Sequence, residues 1–422
     1  MQYPFPLIRT IADVKDAIDE NCFFVAQKDG YQVINYHFTS PETFPAIEAE
    51  HMYIPEGEHS HAYVHATIKR EFRGIIFDME GNLIRRPYHK FFNIGERGET
   101  TMENIDVSKP HIILEKLDGS MIAPFIVNGK IIWGTRMGGT EVSDQVEQWL
   151  AVADKNRNYT NFVLCMISLG QTPIFEWTSN VQRIVLDYPK SNLVLTAIRD
   201  MYTGNYSSYQ RLVEMGEIWK LPVVECARVF DTPNNLNQEF IDFTRNTQAN
   251  IEGFVIRFDN GHMYKIKTDL YCQLHRVKSD INHERGVVQL LLEGKMDDIK
   301  SMLPVSDLER INEYEFKFHA MLLDKSKTIA EQLHKVHKDE MTRKDFALNI
   351  MPKQERWISN IVFKTWDTAE QFTTIEVTEL LKTFILAQCS RNVKFESLRK
   401  ETSLLNNVPE WRPVMFSDEI EI

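Results

Sequence analysis

One lysine in this sequence stands out for its chemical potential, because an apolar strand runs directly into it and an Asp-Gly turn follows it. Residues 111–120 read H-I-I-L-E-K-L-D-G-S, which places the lysine at Lys116 and the turn at Asp118 and Gly119. A lysine amine that has lost its proton is a nucleophile able to form a covalent intermediate. By itself, the pattern Lys-x-Asp-Gly is also typical of a surface hairpin turn, so its surroundings decide between the two interpretations.

Two glutamates lie in strand-like segments further along the chain. In residues 174–178, a period of two puts Glu176 on the face opposite Phe175 and Trp177. Glu252 leads into an apolar run, residues 254–258, where a carboxylate needs a cation or a metal as its partner. The alternatives are a solvent-facing glutamate on a half-buried strand and a glutamate in a turn.

Two lysines share one face of the next strand-like segment, residues 263–268. Lys265 and Lys267 are two residues apart, so they point the same way. Like charges on one strand face repel unless an anion lies near them, and a phosphate is the natural candidate. The alternative is an amphipathic edge strand whose lysines prevent aggregation.

Upstream of Lys116, cations adjoin aromatic residues in two places. Arg73 precedes the apolar run of residues 75–77, and Lys90 precedes Phe91 and Phe92. Arginine or lysine beside an aromatic ring suits binding and stacking on a nucleotide. A core strand with surface charge is the alternative for each segment.

The elements that must position these side chains change in character near residue 275. Before that point, short runs rich in β-branched and aromatic residues are separated by Gly, Pro and Asn, which predicts strands at 73–78, 111–114, 130–134, 174–178, 193–198, 254–258 and 263–267. Helices are predicted at 10–20 and 142–153. This part of the chain therefore reads as an α+β domain with antiparallel sheets.

After residue 275 the apolar residues recur at helical spacing, and Gly294 is the last glycine. Helices are predicted at 305–338, 355–365, 375–388 and 396–405. We therefore predict two domains, an α+β domain over residues 1–275 and an all-helical domain over residues 276–422.

Composition narrows the class of protein. The net charge of −12 argues against indiscriminate coating of nucleic acid, although it leaves room for a local basic groove. The five cysteines form no C-x-x-C pair, which is typical of reduced thiols in a cytoplasmic protein and predicts no structural zinc. No apolar run reaches about 18 residues, so no membrane span is expected.

Taken in order, these segments resemble the covalent nucleotidyltransferases, and most closely the ATP-dependent RNA ligases of the phage T4 RNA ligase 1 type. Residues 115–120 resemble motif I, 174–177 motif III with its extension at 180–186, 193–199 motif IIIa, 252–255 motif IV and 264–267 motif V. Residues 73–79 and 90–93 resemble the upstream elements of that family. The segment at Arg136 departs from the usual lysine-glycine form of motif Ia. The likeness spans residues 50 to 275 approximately.

The resemblance implies an enzyme that carries AMP on Lys116, transfers it to the 5′-phosphate of an RNA end, and joins that end to a 3′-hydroxyl. The implied catalytic residues are Lys116, Asp118, Glu176, Glu252, Lys265 and Lys267. The implied ATP-binding residues are Arg73, Lys90, Phe92, Glu115, Lys116, Arg136, Glu176, Lys265 and Lys267. Mg²⁺, replaceable by Mn²⁺, would be held by Glu252 and Asp118, mostly through waters.

The resemblance also implies a partner, an RNA and in particular a tRNA broken in its anticodon loop, which the helical domain would recognise. Basic candidates for that contact are residues 334–338, Arg343, Lys344, Arg391, Lys394, Arg399 and Lys400. We expect a monomer that repairs RNA in the cytoplasm, namely that of a bacterial host if a phage encodes it.

Two other functions remain open at this point. A capping guanylyltransferase or a DNA ligase uses the same lysine chemistry, but each normally carries a domain of short strands after motif V, where this sequence is helical. An inactive RNA-binding relative is the second alternative, and retention of the lysine and both glutamates argues against it.

Overall fold

The computed structural model describes residues 2–47, 61–180, 185–227, 236–300, 305–338, 341–351, 355–366 and 373–411. The chain divides into two compact units between Gln273 and Leu274. The first unit mixes strands and helices and the second is helical, so the predicted fold class is confirmed.

The described strands of the first unit lie mostly in the segments where alternating or apolar runs predict them. Their bounds are β1 Phe23–Lys28, β2 Tyr31–Tyr36, β3 Ile75–Asp78, β4 Leu83–Arg85, β5 Phe92–Asn93, β6 His111–Lys116, β7 Ser120–Val127, β8 Lys130–Gly134, β9 Gln171–Thr178, β10 Asn192–Asp200, β11 Gly253–Phe258 and β12 Met263–Lys267. The strands β1, β2, β4, β5 and β7 were not predicted.

Within the described residues, the strands form three sheets of four strands each. The N-terminal sheet has the order β1-β2-β3-β4, the central sheet β10-β9-β7-β8, and the sheet that we call the lysine sheet β5-β12-β11-β6. Neighbouring strands are antiparallel, as predicted, except that β5 pairs with β12 in parallel.

Helices cover the central sheet and the lysine sheet. The helices of this unit are α1 His61–Lys69, α2 Glu141–Ala153, α3 Asn158–Ser168, α4 Tyr209–Trp219 and α5 Gln238–Asn246. Phe162 of α3 packs against Phe175 of β9 in the largest core of this unit. Phe240 of α5 packs against Phe254 of β11, with ring centroids 5.4 Å apart. Burial of these apolar faces fixes the sheets that carry the motif residues.

The helix predicted at residues 10–20 is wrong. The structure has two short 3-10 turns instead, Ile11–Asp13 and Lys15–Ala17. The carboxylate of Asp13 accepts the N–H groups of Arg9 and Thr10, each at 2.8 Å, which closes the first turn. Thr10 also pairs with Asn82 in a β-bridge, so tertiary pairing overrides the local helical pattern.

The second unit is built from helices, and α6 Asp269–Ile281 crosses the division between the units. The remaining helices are α7 Glu284–Leu292, α8 Met296–Lys300, α9 Val305–Lys338, α10 Arg343–Asn349, α11 Arg356–Lys364, α12 Thr374–Gln388 and α13 Asn392–Glu401. The predicted helix at 305–338 agrees with α9, whereas the helix predicted at 396–405 begins and ends four residues too late. Among the described helices, none is long and apolar enough to cross a membrane.

Candidate active site

The register of the lysine sheet places two predicted site lysines on either side of a glycine. Gly253 of β11 pairs with Lys116 of β6 on one side and with Lys267 of β12 on the other. Its φ is +148°, and an added Cβ would lie 2.0 Å from the carbonyl oxygen of Ile266. Only glycine tolerates this backbone and this close approach, so the motif glycine sets the spacing of the two lysines.

Glu252, the residue before that glycine, lies between the two lysine ammonium groups. Its Oε2 is 2.8 Å from Nζ of Lys116, and its Oε1 is 3.1 Å from Nζ of Lys267. The carboxylate is buried, which would raise the pKa of Glu252, but the two lysines outweigh burial and lower it. The sequence predicted a cation or a metal as the partner of this carboxylate. In the structure, two lysine ammonium groups contact it.

The nucleophile candidate, Lys116, is held in its charged form. Burial lowers the pKa of Lys116, but the carboxylates of Glu252, Glu176 and Asp118 outweigh burial and raise it. The side chain as a whole is 23% exposed. Attack on a phosphorus atom requires the neutral amine, so the carboxylate pairing must be relieved before reaction.

Asp118 is bonded to the protein at every side-chain oxygen. Its Oδ2 accepts the N–H groups of Val185 and Leu186 at 2.7 and 2.6 Å, and its Oδ1 accepts the hydroxyl of Tyr271 at 2.7 Å. Burial and the nearby Glu252 carboxylate raise the pKa of Asp118 despite these hydrogen bonds. The geometry makes Asp118 an anchor for the segment at 185–186, while its predicted contact with a metal through water stays a prediction.

Glu176 reaches the site across the central sheet. It pairs with Met121, the residue after Ser120, in the register between β9 and β7. An added Cβ on Gly119 would lie 2.3 Å from the carbonyl oxygen of Trp177, so the Asp-Gly turn rests directly on this strand. Glu176 is half-buried on the face opposite Trp177, as the period of two predicted.

Lys265 and Lys267 are the half-buried residues of β12, whereas their neighbours Tyr264 and Ile266 are buried. The predicted alternation is therefore confirmed. Lys265 pairs with Asn93 of β5 in the parallel register, which brings the upstream Lys-Phe-Phe-Asn element to the edge of the lysine sheet.

In that element, Phe92 lies in the core rather than on an open face. Its exposure is 2%, and the guanidinium of Arg97 lies 3.8 Å from its ring centroid. The buried Lys90 lies 5.6 Å from the same ring and donates to the Thr39 hydroxyl at 3.1 Å. In this form Arg97 covers one face of Phe92, and the predicted contact of Phe92 or a neighbour with adenine stays a prediction.

Arg73 and Arg136, two further ATP-binding candidates, contact residues of β7 and β2, respectively. The Nη1 of Arg73 is 3.6 Å from the sulfur of Met121, the strand partner of Glu176. The guanidinium of Arg136 lies 4.8 Å from the centroid of Tyr36, and Lys90 lies 4.9 Å from the same ring. Tyr36 thus brings Arg136 and Lys90, two candidate phosphate ligands, together.

Glu115 is half-buried at the end of β6, next to Lys116. Burial and the carboxylate of Glu225 raise its pKa. Its predicted role in ATP binding stays a prediction.

Sequence reasoning missed a buried ion network in the first unit. Glu71 accepts from Arg86 and from Arg199, with the ion pairs at 2.9 and 2.8 Å, and all three side chains are buried. Burial would raise the pKa of Glu71, but the two guanidiniums lower it to about 2. The position of Arg199 at the end of the family-like segment 193–199 was the available signal, but the sequence did not indicate Glu71 as its partner.

The carboxylates of the site could hold magnesium only together with ligands from the nucleotide and from water. Among the described residues, no group of three or more Asp, Glu, His or Cys side chains is placed to hold a metal. As predicted ligands, Glu252 could supply one or two oxygens and Asp118 could contribute through waters, and nucleotide phosphates and further waters would supply the rest. Magnesium in phosphoryl-transfer sites is commonly held in that way.

The basic candidates of the helical unit differ in their surroundings. Arg399 is bonded to Glu284 and to the carbonyl oxygens of Leu405 and Val408, so it stabilises the fold. Arg391 and Lys394 are exposed. Lys344 is exposed, Arg343 donates to the Phe363 carbonyl oxygen, and Lys400 pairs with Glu396 at 3.1 Å.

The side chains of residues 336–338 and the motif residues 181–184 lie outside the described part of the chain.

Comparison with known proteins finds similarity to RNA ligases. Residues 71–271 match the family model described as RNA ligase, of the T4 RNA ligase 1 type. A protein of Thermovibrio ammonificans, provisionally named an RNA ligase, is 29% identical over 302 residues, which cover 69% of this chain and 70% of that protein. RNA ligase 1 of bacteriophage TS2126 is 24% identical, over 56% of this chain and 58% of its own length.

Solved structures are less similar. An archaeal ATP-dependent RNA ligase aligns with a TM-score of 0.39 and 10% identity over 62% of each chain. The family match over residues 71–271 and the relatives named RNA ligase agree: this chain is an enzyme similar to the RNA ligases of the phage T4 RNA ligase 1 type. The resemblance drawn from the motifs is confirmed.

Proposed function

We propose that this RNA ligase uses ATP and carries AMP covalently on Lys116. The observation that supports the proposal most directly is the placement of Lys116 and Lys267 on either side of Gly253, with the carboxylate of Glu252 between their ammonium groups. A nucleophile beside a second cation is suited to attack on a phosphate, because the cation stabilises the charge that develops on the phosphate oxygens.

In the first step, Nζ of Lys116 attacks the α-phosphorus of ATP. The bond from that phosphorus to the bridging oxygen of the β-phosphate breaks, and pyrophosphate leaves. Lys265 and Lys267, the half-buried residues of β12, would contact phosphate oxygens. Arg73, Lys90 and Arg136 would bind the outer phosphates, and Glu176 would lie near the ribose hydroxyls.

The amine of Lys116 must lose its proton for this attack, although the carboxylates favour the charged form. A divalent cation near Glu252 would compensate the negative charge that holds the proton. In this proposal the cation is magnesium, with manganese as a substitute, and it supplies charge stabilisation at the phosphates.

In the second step, an oxygen of the RNA 5′-phosphate attacks the phosphorus of the AMP, and the bond between that phosphorus and Nζ breaks. In the third step, the 3′-hydroxyl of another RNA end attacks the 5′-phosphate phosphorus, and AMP leaves. We further propose that the natural substrate is a broken RNA, such as a tRNA cut in its anticodon loop. The exposed Arg391 and Lys394 of the helical unit suit contact with RNA phosphates.

Intact-mass measurement tests the covalent step. The purified protein is treated with pyrophosphate to remove any bound nucleotide, and is then incubated with magnesium and either ATP or GTP. We expect a mass gain of one AMP with ATP only. Lys116→Ala should abolish the gain, and the exposed Lys109→Ala should retain it.

The other outcomes identify the alternatives. A GMP adduct would point to capping chemistry. No adduct with either nucleotide would contradict the assignment of Lys116 and favour an inactive RNA-binding relative. Joining of a 5′-phosphate DNA end in preference to an RNA end would indicate a DNA ligase.

A further inference from the structure

We propose that Tyr188 is a positioning residue for the nucleophile, acting through the main chain of Asp118. This inference rests on the proposed function of Lys116. Tyr188 lies in the connection between β9 and β10, whereas Asp118 follows Lys116 by two residues. The main-chain N–H of Asp118 donates to the hydroxyl oxygen of Tyr188 at 2.9 Å.

The contact is reciprocal between the two segments. Asp118 donates its main-chain N–H into the connection and accepts, on its carboxylate, the N–H groups of Val185 and Leu186 from the same connection. Three hydrogen bonds therefore join the turn after Lys116 to residues 185–188. A turn held at both its main chain and its side chain has less freedom to rotate than a turn held at one of them.

Tyr188 is half-buried. Burial raises the pKa of its hydroxyl, and the carboxylates of Asp118, Glu176 and Glu115 raise it further. The hydrogen bond that joins this hydroxyl to the turn is to the protein main chain, at the N–H of Asp118. This geometry favours control of the Lys116 turn over direct contact with the nucleotide.

The consequence concerns the rate of the first step. A nucleophile that is misplaced by about 1 Å can lose a hundredfold in rate, because near-attack geometry is lost. Loss of the Tyr188 hydroxyl leaves the Asp118 carboxylate bonds in place, so the turn loosens without detaching. We expect the rate of adenylylation at saturating ATP to fall about tenfold in Tyr188→Phe. The ATP concentration that gives half the maximal rate should stay unchanged.

Tyr159→Phe provides a matched control. Tyr159 is a buried tyrosine of the first unit, and its hydroxyl donates to the carbonyl oxygen of Leu193 at 3.0 Å. Each variant removes one hydroxyl that bonds to the main chain. Both should lower the melting temperature by a similar amount, so stability alone cannot explain a rate that falls only in Tyr188→Phe.

The test measures single-turnover formation of the AMP adduct over a range of ATP concentrations, below the melting temperature of both variants. A lower maximal rate with unchanged half-saturation, in Tyr188→Phe only, supports the positioning role. A wild-type rate, equal losses in both variants, or a raised half-saturation with a wild-type maximal rate would each overturn it. Failure of the wild-type protein itself to form an adduct would instead contradict the proposed function.

Discussion

The Nζ atom of Lys116 lies 2.8 Å from Oε2 of Glu252, so the carboxylate preceding β11 contacts the amine that ends β6. The same carboxylate contacts Lys267, which makes Glu252 the bridge between the nucleophile and the second cation. This arrangement keeps Lys116 charged in the ligand-free form.

The first prediction concerns pH. Because the pKa of Lys116 is raised, its neutral form increases as pH rises, and the adenylylation rate should rise with pH. Glu252→Gln removes the largest carboxylate contribution and should move the midpoint of this profile downward by about one pH unit or more. The maximal rate should also fall, because Glu252 is the proposed metal ligand. Single-turnover rates between neutral and alkaline pH measure both effects.

The control for the pH profile is Glu214→Gln, which neutralises an exposed carboxylate on α4. That variant should keep the wild-type midpoint. An unshifted midpoint in Glu252→Gln would contradict a role of Glu252 in holding the Lys116 proton.

The second prediction concerns Gly253. Gly253→Ala places a Cβ against the Ile266 carbonyl oxygen and forces β11 away from β12. Since this moves Lys116 and Lys267 relative to each other, adenylylation should fall by about a hundredfold or more. Gly98→Ala is the control, because a Cβ at Gly98 meets nothing within 4 Å. Adduct formation at the wild-type rate in Gly253→Ala would show that the spacing of the lysines is unimportant.

The third prediction concerns stability. Glu71→Gln leaves the buried guanidiniums of Arg86 and Arg199 without their carboxylate, which should cost about 3–5 kcal/mol in free energy of unfolding. The lowered pKa of Glu71 means that its contribution is complete above its ordinary pKa. It is lost as pH falls from 4.5 towards about 2.

Urea denaturation at neutral and acidic pH measures this effect in the first unit. The difference in stability between the wild-type protein and Glu71→Gln should shrink as pH falls through that window. A pH-independent difference would mean that the charge of Glu71 is not what stabilises the network.

The fourth prediction separates structure from RNA contact in the helical unit. Arg399→Ala should lower the stability of that unit by about 2 kcal/mol, because it leaves Glu284 and several carbonyl oxygens with fewer partners. Arg391→Ala should leave stability unchanged but weaken RNA binding and reduce its salt dependence. Melting temperatures and fluorescence anisotropy at several salt concentrations make the comparison. The opposite pattern would assign the RNA contact to Arg399.

Period-two alternation in β9 and β12 could be recognised from sequence, because neighbouring residues of a strand point to opposite faces whatever packs on them. It placed Glu176 on the face opposite Trp177 and Lys265 on the same face as Lys267. The helix predicted at residues 10–20 failed, because Thr10 pairs with Asn82 and that partner is distant in sequence.

The sequence by itself determined the strands that carry Lys116, Glu176, Lys265 and Lys267, the identity of the nucleophile candidate and the order of the motifs. The tertiary structure decided which groups meet: Glu252 with both Lys116 and Lys267, Asp118 with Tyr271 and with residues 185–188, and Glu71 with its two arginines. The physical reason is separation along the chain. Strand periodicity is set by neighbouring residues, whereas a buried ion pair between residues 128 apart exists only after the sheets have packed.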